Sequence, residues 1–131
     1  MPTNTPIRAK GLAEPISHYT DAVIAGPGKT IYVSGQGSID ESGKLVGRGD
    51  VIAQTRKTLD NMKLTLAAAG ATLDDVVKVT VYLGNVDDRA KVNEVRKEYF
   101  KDNRPASTLI QISRFAIEGM LIEIEAVAVT R

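Results

Sequence analysis

The stretch Leu121-Ile-Glu-Ile-Glu-Ala-Val-Ala-Val129 decides the fold. Its hydrophobicity alternates with the period of a strand, whose side chains point to opposite faces in turn. Ile122, Ile124, Ala126 and Ala128 share a face that suits burial beneath helices. Leu121, Glu123, Glu125, Val127 and Val129 share the other. Carboxylates are costly to bury without a partner, yet a wholly solvated face has no need of Leu121, Val127 and Val129. The mixed face therefore reads as a contact between subunits, with polar groups at its openings.

Outward from this strand, Ser107–Ser113 (STLIQIS) is an uncharged strand, with Ser107, Leu109 and Gln111 on one side and Ile110 and Ile112 on the other. Val76–Leu83 (VVKVTVYL) is a third, rich in β-branched residues. Between Asp50 and Ala69 the period changes. Leu59, Met62, Leu66 and Ala69 recur at steps of three and four, which predicts a helix with Asp50 as N-cap and Gly70 just past its end. Arg56, Lys57, Asp60 and Lys63 form its wet face. Asp88 to Phe100 predicts a second helix.

Towards the N-terminus, Asp21–Ala25 and the β-prone Thr30–Gly37 flank a Gly26-Pro-Gly-Lys29 turn, so a hairpin is expected there. Lys44–Val46 reads as a short strand after a turn at Asp40–Gly43. Residues 1–15 hold three of the five prolines and read as an irregular lead-in. The order β-β-(β)-α-β-α-β-β implies one α+β domain over residues 1–131, a mixed sheet of about six strands with two helices on one face.

Composition bounds the function. The 131 residues carry 17 basic and 16 acidic side chains, which leaves no electrostatic footprint for nucleic acid or an anionic membrane. There is no cysteine and a single histidine, His18. That excludes disulfides and thiolate chemistry and argues against a multi-histidine metal centre. Without a long apolar run or an apolar signal core, a cytoplasmic protein is expected.

Several short motifs occur in a telling order: Tyr19, Val33-Ser-Gly-Gln36, Leu66-x-x-Ala69-Gly70, Asp75-Val-Val-Lys-Val-Thr-Val81, Val92-Asn-Glu94, Tyr99-Phe100, Pro105-Ala106 and Ile122-Glu-Ile-Glu-Ala-Val-Ala128. Taken together, from about residue 15 to residue 130, this set resembles the Rid family, also called YjgF/YER057c/UK114. The resemblance implies a chorismate-mutase-like fold, a homotrimer with small-molecule clefts between subunits, and no cofactor or metal. It also implies hydrolysis of reactive enamines and imines to keto compounds and ammonia. A non-catalytic trimeric metabolite-binding or interaction protein is the alternative. Endoribonuclease activity, a label given to some members, is the weakest reading, because basic clustering and a histidine pair are absent.

By the same resemblance the cleft is lined by Tyr19, Ser34, Asn93 and Glu123, with Glu123 as the catalytic carboxylate that holds a water or exchanges its proton. The family pattern has arginine after Pro-Ala, to hold a substrate carboxylate. This chain has Ser107, and one hydroxyl cannot replace a guanidinium fork. Arg104 and Arg114 are the nearby cations that stand to compensate. The natural substrate and pathway are not legible. Glu125, on the same face as Glu123, is expected to be structural and paired with a Lys or Arg.

Overall fold

A computed structural model describes residues 4–130. The strands are β1 (Thr5–Ile7), β2 (Ala22–Ile24), β3 (Thr30–Gln36), β4 (Val76–Leu83), β5 (Ala106–Gln111) and β6 (Ile122–Val129). The helices are α1 (Val51–Ala68) and α2 (Arg89–Phe100). Four strands form the main sheet in the order β3-β6-β4-β5. β6 runs antiparallel to both its neighbours, whereas β4 and β5 are parallel. α2 supplies the crossover that parallel strands require.

β6 lies at the middle of the sheet because one of its faces is apolar throughout. Ile122, Ile124, Ala126 and Ala128 are buried there, next to Val79, Val81 and Leu83 of β4 and beneath Leu59, Met62 and Leu66 of α1. A fully buried aliphatic side chain contributes about 1.5–3 kcal/mol relative to exposure. α1 begins where the Asp50 carboxylate accepts from the Ala53 N–H, and it ends at Gly70, whose φ of 78° suits glycine. Ala69, expected on the packed face, is instead the exposed C-cap. α2 buries Val92, Val95, Arg96 and Phe100. Arg56–Glu98 and Tyr99–Asp60 contacts tie the two helices along their wet edges.

The N-terminal part differs from the expected arrangement. β2 pairs with β1, inside the stretch read as an irregular lead-in, and not with β3. The six strands are thus divided between the main sheet and a separate two-stranded ribbon. Gly26-Pro-Gly-Lys29 does not close a hairpin; it carries the chain from the ribbon to the sheet. A Cβ on Gly28 would lie 1.4 Å from the Thr130 carbonyl oxygen, so the path demands glycine. The predicted strand at Lys44–Val46 is reduced to a single bridge between Leu45 and Ile39. No helix is long and apolar enough to cross a membrane, among the described residues.

Candidate functional site

The helix-free face of the sheet carries Tyr32 on β3, Glu123, Glu125 and Val127 on β6, Lys78, Thr80 and Tyr82 on β4, and Thr108 and Ile110 on β5. Tyr32 is 81% exposed, and Ile110 is exposed as well. The two glutamates, equivalent in the sequence pattern, have different surroundings. Glu125 accepts a hydrogen bond from the Tyr82 hydroxyl, which raises the phenol pKa. Its partner is therefore a tyrosine and not the expected Lys or Arg. Lys78 instead donates to Thr108 Oγ1 at 2.8 Å. Burial lowers the Lys78 pKa, against the pull of Glu125.

Glu123 has no hydrogen-bonded or ion-pair partner among the described residues. A β-bulge next to it explains its placement. Between Val33 and Gln36 the register with β6 slips, and Ser34 and Gly35 are left exposed. The Glu123 carboxylate lies across Gly35: a Cβ there would come within 1.9 Å of Oε2. The result is a half-buried carboxylate resting on a glycine, with the hydroxyl of Ser34 next in the chain. Of the sequence-predicted residues, Glu123 thus lies against the glycine that directly follows Ser34.

Other predicted residues gather elsewhere, where residues 17–20 dock on α2 and on the start of β5. His18 is 4% exposed. Its N–H donates to Asn93 Oδ1 at 2.8 Å, and its ring Nε2 lies 3.1 Å from the Asn103 carbonyl. The Thr20 N–H donates to the Pro105 carbonyl at 3.3 Å. Tyr19 and Arg104 line a cavity of about 780 Å³ together with Thr20 and Asn103. The exposed Arg104 donates to the Ser17 carbonyl at 3.3 Å. Ser107 faces α2, where its hydroxyl accepts from the Arg96 guanidinium at 3.1 Å. Arg114 stands apart, exposed on the loop between β5 and β6.

Arg96 was not singled out by sequence reasoning. It sits in a charged run, Arg96-Lys97-Glu98, within the second helix. The available signal was spacing: Arg96 is four residues from both Val92 and Phe100, on the apolar stripe of the helix.

The two groups of residues do not meet within one chain. Glu123 is opposite Tyr82, and Tyr82 is opposite Ile110. Ser107 lies three residues before Ile110 on the reverse face. Two strand spacings and three residues put their backbones roughly 14 Å apart.

Comparison with known proteins gives a consistent picture. A family model described as Endoribonuclease L-PSP matches residues 11–130. A RutC family protein of Pyrococcus horikoshii is 44% identical over 115 residues, covering 88% of this chain and 89% of the relative. The human 2-iminobutanoate/2-iminopropanoate deaminase is 41% identical over 114 residues, 87% and 81% of the two chains. Among solved structures, the Rid-family protein YyfB of Yersinia pestis superposes with a TM-score of 0.90 at 30% identity, covering 98% of this chain and 99% of its own.

Proposed function

This chain belongs to the Endoribonuclease L-PSP (Rid) family, and on that premise we propose that it is a hydrolytic deaminase of small enamines or imines. The observation that carries the proposal is the Glu123 carboxylate on Gly35. It is half-buried, unpaired among the described residues, and placed on a sheet face that also presents apolar side chains. The naming of a 41%-identical relative as a 2-iminobutanoate/2-iminopropanoate deaminase supports the choice of reaction.

In the proposed reaction water adds to the electrophilic carbon of the C=N bond. Glu123 takes a proton from the water as the C–O bond forms and returns it to nitrogen. Collapse of the carbinolamine breaks the C–N bond and releases ammonia and a keto compound. A positioned general base contributes about 10²–10⁴-fold to such a step. Because Glu123 lies far from the Asn93 and Ser107 end of its own chain, the complete cleft is assigned to neighbouring copies, in a homotrimer packed through the helix-free faces. Tyr32 and Ile110 are the apolar side chains such a contact would cover.

A second reading, a trimeric metabolite binder without turnover, is favoured by Ser107, whose hydroxyl is engaged by Arg96 and offers no charge of its own. One assay separates the two. Purified protein is given 2-iminobutanoate as a dehydratase generates it, and release of ammonia is compared with spontaneous hydrolysis. Acceleration that is lost in Glu123→Gln supports the deaminase. Hydrolysis at the buffer rate by a well-folded trimer leaves the binder.

A further inference from the structure

Arg96 is buried in an unusual way. It is 1% exposed, and no carboxylate pairs with it among the described residues. One terminal nitrogen donates to two neutral oxygens, the His18 carbonyl at 3.2 Å and Ser107 Oγ at 3.1 Å. The buried Nε–H has no partner among the described residues. Taking a cation out of water is expensive, and neutral acceptors do not supply the attraction that an anion would. Burial alone lowers the Arg96 pKa to about 10, as expected for a charge without its counterion.

A second side chain of the same helix holds the same residue of the N-terminal segment. Asn93 lies three residues before Arg96 on the same helix and receives the His18 N–H. Together the two side chains hold both backbone polar groups of one residue of the N-terminal segment, His18, much as a site grips a small ligand. The oxygen rests on the cation, and the neighbouring N–H rests on the amide. The flanking residues Tyr19 and Thr20 line the 780 Å³ cavity, as does Asn103, whose carbonyl meets the His18 ring; its wall also carries Glu14, Asp74, Asp75 and Asp102, so the anion-accepting group is the buried Arg96 behind His18 and not the cavity wall. Arg104, on the cavity wall, is exposed, and a solvated guanidinium holds a carboxylate weakly.

We infer that Arg96, flanked by Ser107 and Asn93, is the carboxylate-binding residue of this chain, and that its ligand is a small 2-imino or 2-oxo acid. The ligand carboxylate takes the place of the His18 carbonyl on the guanidinium. The exchange replaces one neutral acceptor with a charged one that can use the idle Nε–H as well, and paired charge-assisted bonds of this kind are the strong ones. The identity of the acid rests on the deaminase reading; the anion site itself does not. Its cation is supplied by a helix, one contact away from the strand position that holds Ser107.

The test uses binding, not turnover. The full chain, with ¹⁵N-labelled arginine, is titrated with 2-oxobutanoate, the unreactive product of 2-iminobutanoate hydrolysis, and in parallel with neutral 2-oxobutanamide. The expected result is a saturable shift of the Arg96 Nε–H signal with the acid only, and at least tenfold weaker acid binding in Arg96→Gln. Combining Arg96→Gln with Ser107→Arg, which moves the charge across the existing contact, should restore part of the affinity. If Arg96→Gln fails to fold, the Arg96 signal of the parent chain decides alone. An Arg96 signal unmoved at saturating acid overturns the inference. So does equal acid affinity in a folded Arg96→Gln. Glu123→Gln, titrated alongside, should keep the Arg96 shift even if no deaminase activity exists, so the two readings fail separately.

Discussion

The bulge end of the sheet and the docked end of β5 are opposite in chemistry and alike in being unfinished. At the first, Glu123 is an acid without a cation among the described residues. At the second, Arg96 is a cation without an acid among those same residues. Each is held by a local device: a glycine that leaves room for the carboxylate, and an apolar helix stripe that carries the guanidinium under cover. The two lie on opposite faces of one sheet. The difference teaches that the described residues keep these two charges apart; under the proposed function a ligand or a second copy would join them.

The largest effect expected from breaking this contrast is at the acid. Glu123→Gln keeps the shape but cannot take a proton, and kcat/KM for imine hydrolysis should fall about 10²-fold or more. Glu125 is the control, since it lies two residues away on the same face but is already engaged by Tyr82. Glu125→Gln should stay within a few-fold of the parent. Equal losses at both positions would mean that the face responds to charge in general and that no single carboxylate does the chemistry.

Next is the device that seats the acid. Gly35→Ala puts a methyl group where the Glu123 carboxylate now lies. The carboxylate has to move by an ångström or more, and a misplacement of that size costs up to about 10²-fold. Thermal stability should change little, because Gly35 is exposed. Full activity in a folded Gly35→Ala would show that the seat is incidental.

The docked end should respond in stability. Asn93→Ala leaves the buried-side N–H of His18 without its acceptor, a loss of about 1–3 kcal/mol for a desolvated donor. Amide exchange at His18 and Thr20 should quicken, while exchange in β6 stays as it was. If exchange quickens equally in both, the N-terminal segment is part of the cooperative core and not a separately docked piece.

The sequence was most informative where a period repeats. The alternation in Ile122–Val129 assigned the two faces of that strand correctly, and the steps of three and four with Asp50 and Gly70 located α1. It was least informative where long-range pairing decides. Gly26-Pro-Gly-Lys29 has the composition of a hairpin turn, yet nothing local reveals that β2 will pair with β1. For the site, Glu123 was visible as a carboxylate in an apolar strand. Its glycine seat was not, because a bulge is a property of two strands together. Arg96 was hidden by its charged neighbours, although its spacing from Val92 and Phe100 already placed it on the packed stripe.

The smallest effect concerns acidity at the docked end. His18 Nε2 faces the Asn103 carbonyl and so carries the ring proton, while its buried Nδ1 has no partner among the described residues. A second proton would have to enter at Nδ1, in a desolvated place near the Arg104 and Arg96 charges. Burial first, then Arg104, holds the His18 pKa below its ordinary 6.5, against the raising effect of the Asn103 carbonyl. The released segment therefore binds a proton more readily than the docked one, and docking strengthens as pH rises. Its full strength is present above about pH 6.5 and is lost as pH falls from there through the lowered value of the docked state. Amide exchange at residues 18–20, corrected for its intrinsic pH dependence, should accelerate across that window in the parent chain. In His18→Gln, which keeps a donor for the Asn103 carbonyl but cannot titrate, the acceleration should vanish. If it persists there, some other group governs the release.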